Sequence, residues 1–259
     1  MSDDLLFDVT DGIATITLNR PEARNALSVA VCNGLTALWE EIDARPEIRV
    51  VILTSADCGT FCAGMDLKEA ARIKADEGVD ILTRMRDPMH GRMRRVRAPI
   101  VAAMTGDFTA GGMLLSLNSD LRVGLAGSRA GIREAKIGRG SPWAVPLLWM
   151  LPQPLVMEMV TTAEWFPVER LYDVGFVNYV EDTPDAVRAR ARTLAEVIRD
   201  NAPLTVKAGK ACLLNAMSAG CDAGLEAAHK MFIDVYASED AIEGPKAFAE
   251  KRAPVWQGR

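Results

Sequence analysis
The chain predicts an α/β fold, and three observations carry it. Short apolar runs at 50–53 and 100–104 read as buried strands, glycine-rich turns follow them at 61–66 and 106–113, and helical periodicity follows each turn. The repeated unit is strand, turn, helix. At this pitch a doubly wound sheet and a spiral of repeated turns both remain open.

Taken in order, apolar and polar residues alternate through 5–9 and 13–18 around Asp11-Gly12, which predicts a hairpin. Asn19-Arg20-Pro21 ends the second strand, and Ser28 caps a helix carrying Val31, Leu35, Leu38 and Ile42 before Pro46. After the strand at 50–53 and the first glycine turn, helices are predicted over 68–73 and 79–96. The second is rich in arginine (Arg84, Arg86, Arg92, Arg94, Arg95), with Arg97 just beyond it, and Pro99 stops it. The strand at 100–104, the second glycine turn, a helix through Leu117 and a strand at 121–123 repeat the unit. Beyond Pro184 the pattern becomes helical throughout, over 186–199, 204–216, 221–236 and 238–250.

With 259 residues, 49% hydrophobic and 25% charged, the chain has the composition of a globular protein with a sizeable core. A net charge of −5 argues against a phosphate-tracking surface, so nucleic acid is not an expected partner. No apolar run approaches the roughly 20 residues that span a bilayer, so no membrane partner is expected either. The acidic start Met1-Ser2-Asp3-Asp4 has no leader signature, and five cysteines without metal-ligand spacing fit a reduced cytoplasmic setting with no metal.

Each glycine turn lifts small residues out of a strand into a helix start, where main-chain N–H groups lack partners and attract negative charge. If the amides of Met65 and Gly111 converge, they form a hole for the oxygen of a thioester enolate, worth about 100-fold or more in rate per donor. Among other residues, His90 and His229 are too isolated for a metal site or a nucleophile relay. The 84–97 arginines read as a solvated face, Cys62 as packing, and Trp143, Trp149 and Trp165 as core.

The segments 18–21 with 25–27, 61–69, 106–120, Gly131 with Glu134 and Gly138, 175–178, and 243–252 resemble, in order and spacing, the crotonase superfamily of enoyl-CoA hydratases and isomerases. The resemblance spans nearly the whole chain. It implies a crotonase-like spiral of repeated strand-strand-helix turns over residues 1–199 holding the active site. It also implies a C-terminal helical section over 200–259 for trimerisation and coenzyme A capping. Trimers or dimers of trimers, an acyl-CoA substrate and no separate cofactor are expected.

By the same resemblance Met65 and Gly111 supply the oxyanion amides and Glu134 the acid-base carboxylate. Coenzyme A lies against Arg24, Ala26, Ala63, Asp66, Leu67 and Lys68, completed by Phe248 and Lys251 near a subunit boundary. Two-glutamate hydratases carry their other carboxylate where this chain has Leu114. Asp66 and Asp107 are candidates to replace it. A lone Glu134 suits isomerisation of 3-enoyl-CoA to 2-enoyl-CoA, because one carboxylate can take a proton and return it two carbons away. Hydration, a non-catalytic acyl-CoA binding subunit and a crotonase-type hydrolase or decarboxylase are the rival readings. Trp143, with Trp149 and Trp165, is expected to wall the acyl pocket beside Leu114, and Arg133 to favour ionised Glu134.

Overall fold
The computed structural model describes residues 3–259; the Met1-Ser2 start lies outside them. The alternating opening forms β1 (Leu5–Thr10) and β2 (Ile13–Leu18), antiparallel about Asp11-Gly12. α1 (Val29–Ala44) follows, with the Ser28 hydroxyl accepting from the Val31 N–H at 3.2 Å and Val31, Leu35, Leu38, Trp39 and Ile42 buried on one face. Then come β3 (Val50–Ser55), β4 (Thr60–Cys62), α2 (Leu67–Glu77), β5 (Ile100–Met104), β6 (Asp107–Thr109), α3 (Gly111–Asn118), β7 (Leu121–Leu125) and β8 (Arg129–Gly131).

From β3 to β8, successive strands go to different sheets. β1-β2-β3-β5-β7-β10 form one sheet, parallel from β2 onward, and β4-β6-β8-β9 form another, where β9 is Phe166–Pro167 and β10 is Tyr179–Glu181. After β1, β2 and α1, whose strands both join the large sheet, each turn of chain lays one strand in the large sheet (β3, β5, β7) and one in the small sheet (β4, β6, β8), then a helix or short helical turn. That arrangement is the spiral, and it excludes a doubly wound sheet.

β3 reads as an unbroken apolar run because both its faces are buried. Val51 and Leu53 face the main core with Trp39, Phe61 and Phe108. Val50 and Ile52 face a second layer made by Val187, Ala191 and Ala195 of α6 (Pro184–Asp200), which lies across the large sheet. α4 (Gln153–Thr162) and α5 (Val168–Asp173) precede α6; α7 (Pro203–Ala219), α8 (Cys221–Met231), α9 (Ile233–Tyr236) and α10 (Glu239–Ala249) follow it. The half-buried Lys210 of α7 ties this last section to the spiral, its Nζ donating to Asp120 at 2.7 Å and to the Ala98 carbonyl at 3.1 Å.

Two predicted helices differ. Residues 79–96 form only single 3-10 turns at Ile81–Thr83 and Met93–Arg95. Side chains take the amides a helix would have used: Asp80 accepts from Leu82, Asn33 of α1 from Arg86, and Asp87 from Met89 and Gly91, each between 2.8 and 3.0 Å. Pro88 offers no amide at all. Residues 221–236 are split at Phe232 into α8 and α9.

Candidate active site
The two glycine turns meet back to back. Gly64 has φ +90°, and a Cβ there would sit 2.7 Å from the Ala110 Cβ and 3.0 Å from the Gly111 nitrogen, so only glycine fits. Ala110 itself is held at φ 51°, ψ −115°, a strained setting for a residue with a side chain, and it turns the chain into α3. Leu27 and Met65 form a single parallel bridge, with the Leu27 N–H donating to the Gly64 carbonyl at 2.7 Å and the Asp66 N–H to the Leu27 carbonyl at 3.0 Å. The Met65 N–H therefore faces the other way. Neither it nor the Gly111 N–H donates to an acceptor among the described residues, and both residues line one cavity of about 870 Å³.

The loop before α1 is pinned beneath these turns. Arg24 and Asn25 both have φ 53°, and the buried Asn25 amide donates to the Ala56 and Thr60 carbonyls at 2.9 and 2.8 Å. Arg20 bridges to Asp66 at 3.0 Å and donates to the Ala26 carbonyl at 2.9 Å.

Glu134 opens a 3-10 turn (Glu134–Ile137) just after β8 and lines the same cavity, only 8% exposed. Its Oε1 accepts the Trp143 indole N–H at 3.0 Å, while Oε2 is buried without a hydrogen-bond partner among the described residues. Burial pushes this carboxyl above the usual carboxylate range, against the opposing pull of nearby main-chain amides and of Trp143. The expected help from Arg133 is absent. Its guanidinium stacks 4.8 Å over Trp165 and donates to the Ala163 carbonyl at 3.0 Å, which corrects the expectation that Arg133 favours ionised Glu134.

Leu114 and Trp143 line the cavity, as do Arg24, Ala63 and Leu67. Ala26, Asp66 and Lys68 do not form its wall. Asp66 caps α2, accepting from Lys68 and Glu69 at 3.1 Å. Burial opposes its ionisation, but the Glu69 amide and Arg20 outweigh that and hold it below the ordinary range. Asp107 lines the cavity yet is bound to Arg129 at 2.6 Å, so neither aspartate is a free second carboxylate. Trp149 is exposed and lies outside the cavity wall, correcting its expected place there; Trp165 is part of that wall. Phe248 and Lys251 are exposed on the C-terminal section and do not reach this cavity within one chain. Cys62 is fully buried and its thiol is pushed up to about 12 by that burial, in keeping with packing.

The segment read as an arginine-rich helix supplies wall residues that sequence reasoning missed, namely Leu82, Met85 and Met89. Its arginines make ion pairs, Arg84 to Glu77 and Arg86 to Glu40 on the exposed surface and the half-buried Arg92 to Asp43 at 3.0 Å. Asp80, paired with Arg139 at 2.8 Å, also lines the cavity. The Asp80, Asp87, Pro88 and Gly91 turn signals were the available clue.

A strand-strand-helix spiral that brings two unpaired turn amides and a buried carboxylate to one apolar cavity defines the crotonase fold class. A family model described as Enoyl-CoA hydratase/isomerase matches residues 8–259, and the chain belongs to that family, an enzyme of the crotonase superfamily. It is 32% identical over 262 residues to (E)-benzylidenesuccinyl-CoA hydratase of Thauera aromatica, covering 97% of this chain and 98% of that protein. It is 34% identical over 256 residues to enoyl-CoA hydratase EchA19 of Mycobacterium tuberculosis, covering 94% and 92%. Among solved structures, an enoyl-CoA hydratase from Mycobacterium tuberculosis H37Rv matches with a TM-score of 0.88 at 35% identity over 100% of both chains. One from Bacillus anthracis matches at 0.93 and 28% identity, over 99% and 100%.

Proposed function
We propose that the cavity takes an acyl-CoA thioester with its carbonyl oxygen between the Met65 and Gly111 N–H groups, and that Glu134 alone moves the proton. The reaction is isomerisation of a 3-enoyl-CoA to a 2-enoyl-CoA. Glu134 Oε2 removes a proton from C2, the electrons pass through a dienolate whose negative oxygen the two amides hold, and the same carboxyl returns the proton to C4. No water is consumed. The observation that carries this reading is a single unpaired carboxylate oxygen in a cavity where Leu114, Met65 and Trp143 leave no second free carboxylate. Burial that raises the Glu134 carboxyl suits a group that must both accept and return a proton near neutral pH.

Coenzyme A enters as part of the substrate, held by Arg24, Ala26, Ala63, Asp66, Leu67 and Lys68, with no separate cofactor. Phe248 and Lys251 reach that site from a neighbouring copy in a trimer or a dimer of trimers. Residues 1–199 then form the catalytic spiral and 200–259 the assembly section. The free cysteines favour a cytoplasmic setting.

Hydration of 2-enoyl-CoA is the second reading, favoured by the names of the relatives, which are hydratases. Turnover of matched 3-enoyl and 2-enoyl thioesters, followed by the ultraviolet absorbance of the conjugated 2-enoyl thioester together with mass spectrometry, separates the two. Isomerisation of the 3-enoyl thioester raises that absorbance at unchanged mass, whereas rapid gain of one water without isomerisation refutes the single-carboxylate reading.

A further inference from the structure
Glu134 sits on a short 3-10 turn, and its side chain would be free to rotate if nothing held it. One donor does. We propose that Trp143 is a positioning residue for Glu134: its indole N–H takes up Oε1, so that Oε2 alone faces the substrate, and a chain of contacts through His90 and Asn118 sets that carboxyl in register with the helix that offers the Gly111 amide. This proposal rests on the reading of Glu134 as the proton carrier.

The Trp143 indole donates to Glu134 Oε1 at 3.0 Å, and the Trp143 carbonyl accepts from His90 Nε2 at 3.0 Å. His90 Nδ1 lies 3.0 Å from Asn118 Oδ1, and the buried Asn118 amide donates to the Leu114 carbonyl of α3 at 2.8 Å. α3 begins at Gly111 and carries Leu114 into the cavity. A carboxyl group and an amide donor on different elements are thus linked by three side chains. Both partners of His90 are oxygens that only accept, so neutral His90, with one N–H, donates to one and merely touches the other; with the proton on Nε2 it braces the Trp143 carbonyl. Misplacing a proton acceptor by an ångström costs on the order of 100-fold in rate, which gives such a brace its value.

Packing alone makes the opposite prediction. Trp143→Phe keeps an aromatic wall and deletes the N–H. Trp143→His keeps a ring N–H, because the imidazole Nε2 falls where the indole Nε1 was, but deletes much of the wall. For a positioning role, Trp143→Phe lowers kcat roughly tenfold or more with KM within about twofold, and Trp143→His at pH 7.5 recovers most of the loss. The acid limb of kcat/KM in Trp143→Phe moves to higher pH, since the lost donor favoured the ionised carboxyl. His90→Ala, which frees the Trp143 carbonyl without touching the cavity wall, gives a smaller fall in kcat with the same displacement of the limb.

Melting curves establish that each variant is folded, and His90→Ala carries the test if Trp143→Phe is not. Unchanged kcat and an unmoved acid limb in the folded variants, or activity retained by Phe and lost by His, overturn the positioning role. Glu134→Gln, assayed alongside, keeps the two ideas apart. If it stays active, the proton-carrier reading itself fails, whereas an inactive Glu134→Gln beside a wild-type-like Trp143→Phe defeats only the positioning.

Discussion

At position 134 burial raises the carboxyl group above the ordinary carboxylate range. Because burial raises its folded value above the unfolded one, the folded state binds the proton more tightly. Stability is then lost as pH rises from the ordinary carboxylate range, about 4.3, through the higher folded value. Glu134→Gln removes that penalty, so its melting temperature should exceed the parent's at pH 8, with the gap closing toward pH 4. The same variant should lose roughly 100- to 10,000-fold in kcat, which a coupled thioester assay reads directly. Met65 and Gly111 were readable from the two glycine turns and Glu134 only through the family resemblance, and all three line one cavity. The partners of those residues were not readable. Adjacent residues need not face each other, so nothing in the string Arg133-Glu134 says that the guanidinium turns to Trp165 while an indole nine positions on turns to the carboxylate.

Among the elements, the strands of the large sheet were readable because β3 and β5 are buried on both faces and carry unbroken apolar runs at 50–53 and 100–104. β4, β6 and β8 have three residues each, too few for a period, and that is why the second sheet stayed hidden. The 79–96 stretch misled for a related reason: helical spacing of Met85, Met89 and Met93 was real, but side chains from α1 and from the stretch itself claimed its amides. Close packing of the turns makes a prediction at this scale. A Cβ on Gly112 would lie 2.3 Å from the Cys62 carbonyl oxygen, a main-chain atom that cannot swing aside. Gly112→Ala should therefore cost about 1–3 kcal/mol in urea unfolding, with the loss appearing in the midpoint. An unchanged midpoint would mean that β4 and α3 are looser than this contact implies.

For the molecule as a whole, the C-terminal helices leave a broad apolar face in water, with Leu213, Leu225, Ile233, Tyr236, Ile242 and Phe248 all exposed. The sequence showed the helical stripes without saying which of them meet within the chain and which meet another copy. If copies of this chain cover that face, sedimentation should give a trimer or a hexamer at micromolar concentration. Leu225→Glu together with Ile233→Glu should shift the distribution toward monomer, and a parent monomeric at every concentration would refute the assembly. The meeting of the two glycine turns has its own consequence. Peptide N–H groups are common to every residue but proline, so no other exchange of side chain at 65 deletes the donor there. If those amides hold the substrate carbonyl as proposed, its activation is inherited with the backbone path, and new reactions arise by redecorating the walls alone.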